Sequence, residues 1–172
     1  MLSLHPNESR WFGFSRSFVW FGTISYRMNR DFSELLLAFN ANAVEYLVVG
    51  AHALAVYGHV RATKDLDIWI RADRENAHRV LKAISEFGAP LGDLTAADLS
   101  SPGTIFQIGL PPLRIDLITQ IDGVDFVDAW PDRFATQFGG VPVFVISRHH
   151  LIANKKASAR LQDLADVEQL EA

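Results

Sequence analysis

The 172 residues suffice for one domain with a sizeable core, and 49% hydrophobic against 21% charged content excludes an intrinsically disordered chain. A formal net charge of −4 without a basic run argues against a sequence-independent nucleic-acid surface, without excluding RNA or DNA as a substrate. The absence of cysteine rules out disulfides, thiolate nucleophiles and cysteine-based zinc sites, and is compatible with a reducing cytoplasm.

Residues 1–27 crowd Trp11, Phe12, Phe14, Phe18, Trp20, Phe21 and Tyr26 among Arg10, Arg16 and Arg27, with neither helical nor strand periodicity. The apolar run from Phe18 to Ile24 is much shorter than the ~20 residues a membrane span needs, and the segment lacks the ordered regions of a signal peptide. No membrane partner is expected. Met28 is followed by Asn29-Arg30-Asp31-Phe32-Ser33-Glu34, which reads as a fresh helix start. The expected domain is therefore 28–172, with residues 1–27 an extension outside it; the alternative is an aromatic arm that docks on a partner.

Asp31 is expected to cap a helix bearing Leu35, Leu36, Phe39 and Ala43. A strand from Glu45 to Val49, a glycine turn at Gly50, a short helix and a strand carrying Asp65-Leu66-Asp67-Ile68 come next. Asp73 opens a helix that Gly88 ends. Ile105 to Ile108 and Leu113 to Ile118 read as strands joined by Gly109-Leu110-Pro111-Pro112, and Val141 to Ile146 as another. Ser147 caps a terminal helix from about Arg148 to Leu170. This irregular alternation predicts an α/β (α+β) domain, a mixed twisted sheet backed by helices, without internal repeats.

Alternate strand residues share a face, so Asp65 and Asp67 project together while Leu66 and Ile68 enter the core. Two carboxylates on a largely packed strand need compensation. A hard cation, Mg²⁺ or Mn²⁺, would provide it, as would Arg61 and Lys64. Asp116, the single acidic residue in the apolar run Leu113 to Ile118, reads on its own as a core carboxylate paired with Arg114 on the same face. His52 reads as a packed or solvated histidine near the glycine turn. Phe126 and Trp130 read as cover for the sheet. His149 and His150 are adjacent on a helix and are not expected to form a metal pair.

A glycine turn followed by Arg61-Ala62-Thr63-Lys64-Asp65-Leu66-Asp67 resembles the nucleotidyltransferase superfamily, and looks closest to its branch of AbiEii-type abortive-infection toxins and related uncharacterised bacterial proteins. The resemblance extends over Gly109-x-Pro-Pro-x-Arg114-Ile115-Asp116, Gly123-Val124-Asp125-Phe126, and the terminal Lys155, Arg160, Asp163 and Asp166. It implies a nucleotidyltransferase-like fold with a long C-terminal helix. The implied reaction is metal-dependent transfer of a nucleoside monophosphate from an NTP to a hydroxyl acceptor. Asp65, Asp67 and Asp116 would hold Mg²⁺ or Mn²⁺, with Asp116 also the base, and Gly50, Ala51, Arg61, Lys64 and Lys155 would hold the nucleotide. RNA as acceptor, a protein antitoxin as partner and a bacterial cytoplasmic setting come from the toxin branch.

This chain departs from the family pattern in two places. Ala51 stands where the wider superfamily has serine or glycine, and Gln162 where the branch commonly has lysine. Both favour a rival reading, a catalytically degenerate module of the same fold that binds nucleotide or protein.

Overall fold

A computed structural model describes residues 29–110 and 112–172. Residues 1–27 and Met28, where the extension and the start of the domain are expected, lie outside them. Helix α1 (Arg30–Ala41) leads into strand β1 (Tyr46–Val48), helix α2 (Gly50–Val56) and strand β2 (Asp65–Ile70). Helices α3 (Arg74–Phe87) and α4 (Ala96–Leu99) precede strands β3 (Ile105–Ile108) and β4 (Arg114–Ile118). Helix α5 (Phe126–Ala129), strands β5 (Phe134–Phe138) and β6 (Val141–Val145), and helices α6 (Arg148–Ser158) and α7 (Leu161–Glu171) complete the chain.

The strands form one sheet in the order β3-β4-β2-β1-β6-β5. The β1–β2, β3–β4 and β5–β6 pairs are antiparallel, whereas β2–β4 and β1–β6 are parallel. The sheet is thus mixed, as expected. Pairing puts Tyr46 opposite Ile70, Val48 opposite Ile68, and Leu66 opposite Ile115. These residues share the face that α1 and α3 cover, and all of them are buried. The Phe39 ring of α1 meets Tyr46 edge-on at 5.6 Å.

The opposite face carries Asp65, Asp67 and Trp69 on β2, and Arg114 and Asp116 on β4. Its apolar end is roofed by aromatic rings. Phe126 meets Trp69 edge-on at 5.0 Å and stacks on Trp130 at 5.6 Å, and Trp130 meets Phe144 edge-on at 5.5 Å. The covering role expected for Phe126 and Trp130 is therefore their observed one.

Four local features differ from the sequence reading. Asn29, not Asp31, caps α1: its side chain accepts from the Asp31 N–H at 3.2 Å, and Asp31 sits in the first turn. Strand β5 and the one-turn helices α4 and α5 were not expected: four residues are too few to display a helical period, and β5 is mostly exposed. The C-terminal helical run is broken at Ala159, whose φ of 51° is left-handed, and α7 turns back against α6. Lastly, the His149 and His150 rings lie together, with centroids 4.0 Å apart.

Candidate active site

The glycine turn and the two-carboxylate strand meet in space. Val49 N–H donates to the Asp67 carbonyl at 3.0 Å, so the end of β1 lies beside the middle of β2. Gly50 then turns with a φ of +64°, a conformation that disfavours any side chain. A Cβ at this position would also collide with the Asp67 carboxylate. Gly50 is thus required twice over, by its backbone and by the acidic group lying against it. Ala51 is buried, and its methyl offers no hydrogen-bonding group.

Parallel pairing of β2 with β4 puts Asp67 directly opposite Asp116 and Asp65 opposite Arg114. The Arg114 guanidinium lies among the carboxylates. Its Nε donates to Asp116 Oδ1 at 2.8 Å, and one terminal nitrogen donates to Asp116 Oδ2 at 3.2 Å and Asp65 Oδ2 at 3.3 Å. The side chains of Arg114 and Asp65 remain 30% and 41% exposed, so the clasp faces solvent. Asp67 receives no such bond from Arg114. Burial, reinforced by the charges of Asp116 and Asp65, pushes the Asp67 carboxyl up to about 6, against the weaker pull of Arg114 and Arg61.

Among the described residues, Asp65, Asp67 and Asp116 are not a set whose ligand atoms all lie within 4.8 Å of one another. Arg114 occupies the space between two of them. The structure therefore brings the three carboxylates to one face, with the Arg114 guanidinium as the partner of Asp65 and Asp116.

The remaining candidate residues flank this face from different elements. Arg61 precedes β2, and its guanidinium lies 3.7 Å from Asp166 Oδ2. Lys64 is exposed at the mouth of β2, and its carbonyl accepts from the Arg114 N–H at 3.4 Å. Lys155 is buried. Its ammonium donates to Asp163 Oδ1 at 3.1 Å and Asp166 Oδ2 at 2.6 Å, which ties α6 to α7. This differs from the flexible, solvent-reachable ammonium that an unbroken helix would present. Gln162 is exposed in the first turn of α7. His52 packs in the core, with Phe32 and Phe138 rings at 6.0 and 6.2 Å, and burial lowers its pKa.

Sequence reasoning treated Arg114 only as a partner for Asp116; its second bond, to Asp65 across the strand pair, depends on the β2–β4 register. Alternation along β4 could reveal the first contact. Nothing in the sequence order reveals that β4 lies beside β2.

With this geometry in view, comparison with known proteins places the fold. The structure matches the lincosamide antibiotic adenylyltransferase LnuA, lincomycin-bound, with a TM-score of 0.54 and 13% identity over 84% of this chain and 97% of that one. It also matches a candidate nucleotidyltransferase from Thermotoga maritima, with a TM-score of 0.51 and 16% identity over 83% of this chain and 89% of that one. The chain thus has the nucleotidyltransferase fold. No family profile matches the sequence, and no curated protein matches it. No helix among the described residues is long and apolar enough to cross a membrane.

Proposed function

We propose that this protein is a metal-dependent nucleotidyltransferase that moves a nucleoside monophosphate from an NTP to a hydroxyl acceptor. The observation that carries this reading is the in-register pairing of Asp67 with Asp116, beside a glycine turn that Asp67 itself constrains, on a nucleotidyltransferase fold. Three carboxylates against one guanidinium leave negative charge uncompensated, most of all at Asp67. Hard oxygen donors of that kind fit Mg²⁺ or Mn²⁺. Asp65, Asp67 and Asp116 would hold the ion, which when bound screens the triphosphate and orients the attacking and leaving oxygens.

In this reading Arg114 releases Asp116 and turns toward the substrate phosphates. Asp116 then accepts the proton of the acceptor hydroxyl. That oxygen bonds to the α-phosphorus as the bond to the bridging oxygen between the α- and β-phosphates breaks, and pyrophosphate departs. Gly50 and Ala51 offer backbone N–H groups to phosphate, and Arg61 and Lys64 bring positive charge. Lys155 contributes through Asp166, the carboxylate it shares with Arg61.

The Arg61-x-Thr63-x-Asp65-x-Asp67 string supports the AbiEii-type branch, hence an RNA acceptor, an antitoxin partner and a cytoplasmic site of action. The neighbour that adenylylates lincosamides supports a small hydroxylated molecule instead. Pyrophosphate release distinguishes them: each NTP is tested with total RNA or with lincomycin, in Mg²⁺, Mn²⁺ or EDTA. Release should require metal and fall by about 10²-fold or more in Asp116→Asn. A parent protein silent under every condition overturns the catalytic reading. One observation favours the rival, a binding module of the same fold: Arg114 already clasps Asp116 through both of its oxygens.

A further inference from the structure

A second cluster of metal-ligating side chains lies away from the acidic face. His149 and His150 start α6, and Asp132 precedes β5. The ligand atoms of these three residues all lie within 4.8 Å of one another, the one such set among the described residues. The geometry points to a binding site for a divalent transition ion of the zinc class, formed by Asp132, His149 and His150.

The spacing suits such an ion. His149 Nε2 stands 3.3 Å from Asp132 Oδ2. Two ligands about 2.0–2.1 Å from a tetrahedral zinc ion are themselves about 3.3 Å apart. His150 brings a further ring nitrogen to the cluster. Three protein ligands on an exposed surface leave a position for water, as in open zinc sites.

The histidines are also held from behind. Ser147, a buried residue that caps α6, places its Oγ 3.3 Å from His149 Nδ1 and 2.9 Å from His150 Nδ1. Zinc-ligating histidines ordinarily engage their second nitrogen in this way, which fixes ring orientation and tautomer. At His149 the tautomer with Nδ1–H donating to Ser147 leaves the Nε2 lone pair facing Asp132. This shared hydroxyl also explains how two adjacent helical residues come together: in the first turn, both rings fold back toward the cap instead of following opposite faces.

The donor set separates this site from the acidic one. Imidazole nitrogen selects zinc, nickel or copper over magnesium, whereas the carboxylate row on β2 and β4 suits hard ions. The two sites also lie apart along the sheet, since Ser147, which holds the histidines, follows β6 whereas Asp67 is on β2. Ile146 N–H donates to the Val48 carbonyl at 3.1 Å, one strand beyond the Val49–Asp67 contact. Two strand spacings, roughly 10 Å, therefore separate the level of Asp67 from that of Ser147.

The test is calorimetric titration of Zn²⁺ into the full chain carrying Asp67→Asn, which weakens the acidic site, followed by the same titration with His149→Ala, His150→Ala or Asp132→Asn added. Visible d–d absorption of Co²⁺ reports nitrogen ligation independently. One equivalent of Zn²⁺ should bind, and each added substitution should weaken it by about tenfold or more, with loss of the Co²⁺ spectrum. Mg²⁺ should not compete. Because Asp132 and His149 are exposed, their replacement leaves the core intact, and circular dichroism verifies this. Undiminished binding in the His149→Ala and His150→Ala proteins, or no Zn²⁺ binding by the starting protein, overturns the proposal. Neither result bears on pyrophosphate release.

Discussion

Asp67 carries a charge that its surroundings oppose. Burial and two neighbouring carboxylates hold its carboxyl up to about 6, while in the unfolded chain an aspartate titrates near about 3.9. Between these values the native state holds a proton that the unfolded state has lost, so stability falls as pH rises from about 4 to about 6 and is level above that. Asn at this position is nearly isosteric and uncharged. Asp67→Asn should therefore flatten the pH dependence in EDTA and raise stability at neutral pH by up to about 3 kcal/mol. Urea denaturation of both proteins at pH 4, 5, 6 and 7 checks this; parallel curves would remove Asp67 from the set of strained carboxylates. At this scale much of the site was legible. Alternation puts Asp65 and Asp67 on one face of β2, and Arg114 and Asp116 on one face of β4, whereas the sharing of a face by the two pairs comes from the β2–β4 register. The collision that forbids a side chain at Gly50 was not legible, since it depends on how closely β1 and β2 approach.

The two C-terminal helices show how one residue alters the role of another. A continuous helix would array Lys155, Ala159, Asp163 and Asp166 along one broad stripe. The left-handed backbone at Ala159 instead folds α7 over α6, and Lys155 becomes the buried link between them. No glycine or proline marks that break, so periodicity alone runs through it. Strand β5 was hidden for a related reason: it is an edge strand with mostly exposed residues, and its sequence carries little hydrophobic alternation. Glycine at 123 is the opposite case, a visible turn residue whose purpose lies in the packing. A Cβ there would come within 2.5 Å of the Ala157 Cβ, so its absence lets the loop before α5 lie on α6. Removal of Lys155 leaves Asp163 and Asp166 facing each other without their ammonium. Lys155→Ala should accordingly cost about 3–5 kcal/mol, the usual consequence of breaking a buried pair from one side. Chemical denaturation measures the loss. A cost below about 1 kcal/mol, combined with weakened NTP binding, would assign Lys155 to phosphate after all.

At the scale of the whole molecule, the alternation of helices and strands was enough to expect a mixed sheet, but not the order β3-β4-β2-β1-β6-β5. That order depends on crossovers: the chain leaves β2 for the edge strand β3, β4 comes back between β3 and β2, and β6 returns to join β1. It is also what brings the candidate residues together, because Asp67 and Asp116 are 49 residues apart and become neighbours only through the parallel β2–β4 pair. A ligand held across both strands therefore stabilises the entire sheet. An NTP bound with its metal at a hundredfold excess over its dissociation constant adds about 2.7 kcal/mol to the folded state. For a chain of 172 residues, about 2–4 °C of melting temperature per kcal/mol converts this to roughly 5–10 °C. Thermal unfolding should show that shift with Mg²⁺ and NTP together and not with NTP in EDTA. Asp67→Asn and Asp116→Asn should lose the shift, although Asp67→Asn starts from a higher baseline. The two functional readings then separate by combining this measurement with the pyrophosphate assay. A metal-dependent shift accompanied by pyrophosphate release is transfer, whereas the same shift without release under any acceptor is a binding module in which Arg114 keeps hold of Asp116. If neither variant diminishes the shift, the nucleotide binds elsewhere, and the carboxylate row on β2 and β4 is an ion-paired surface of the sheet.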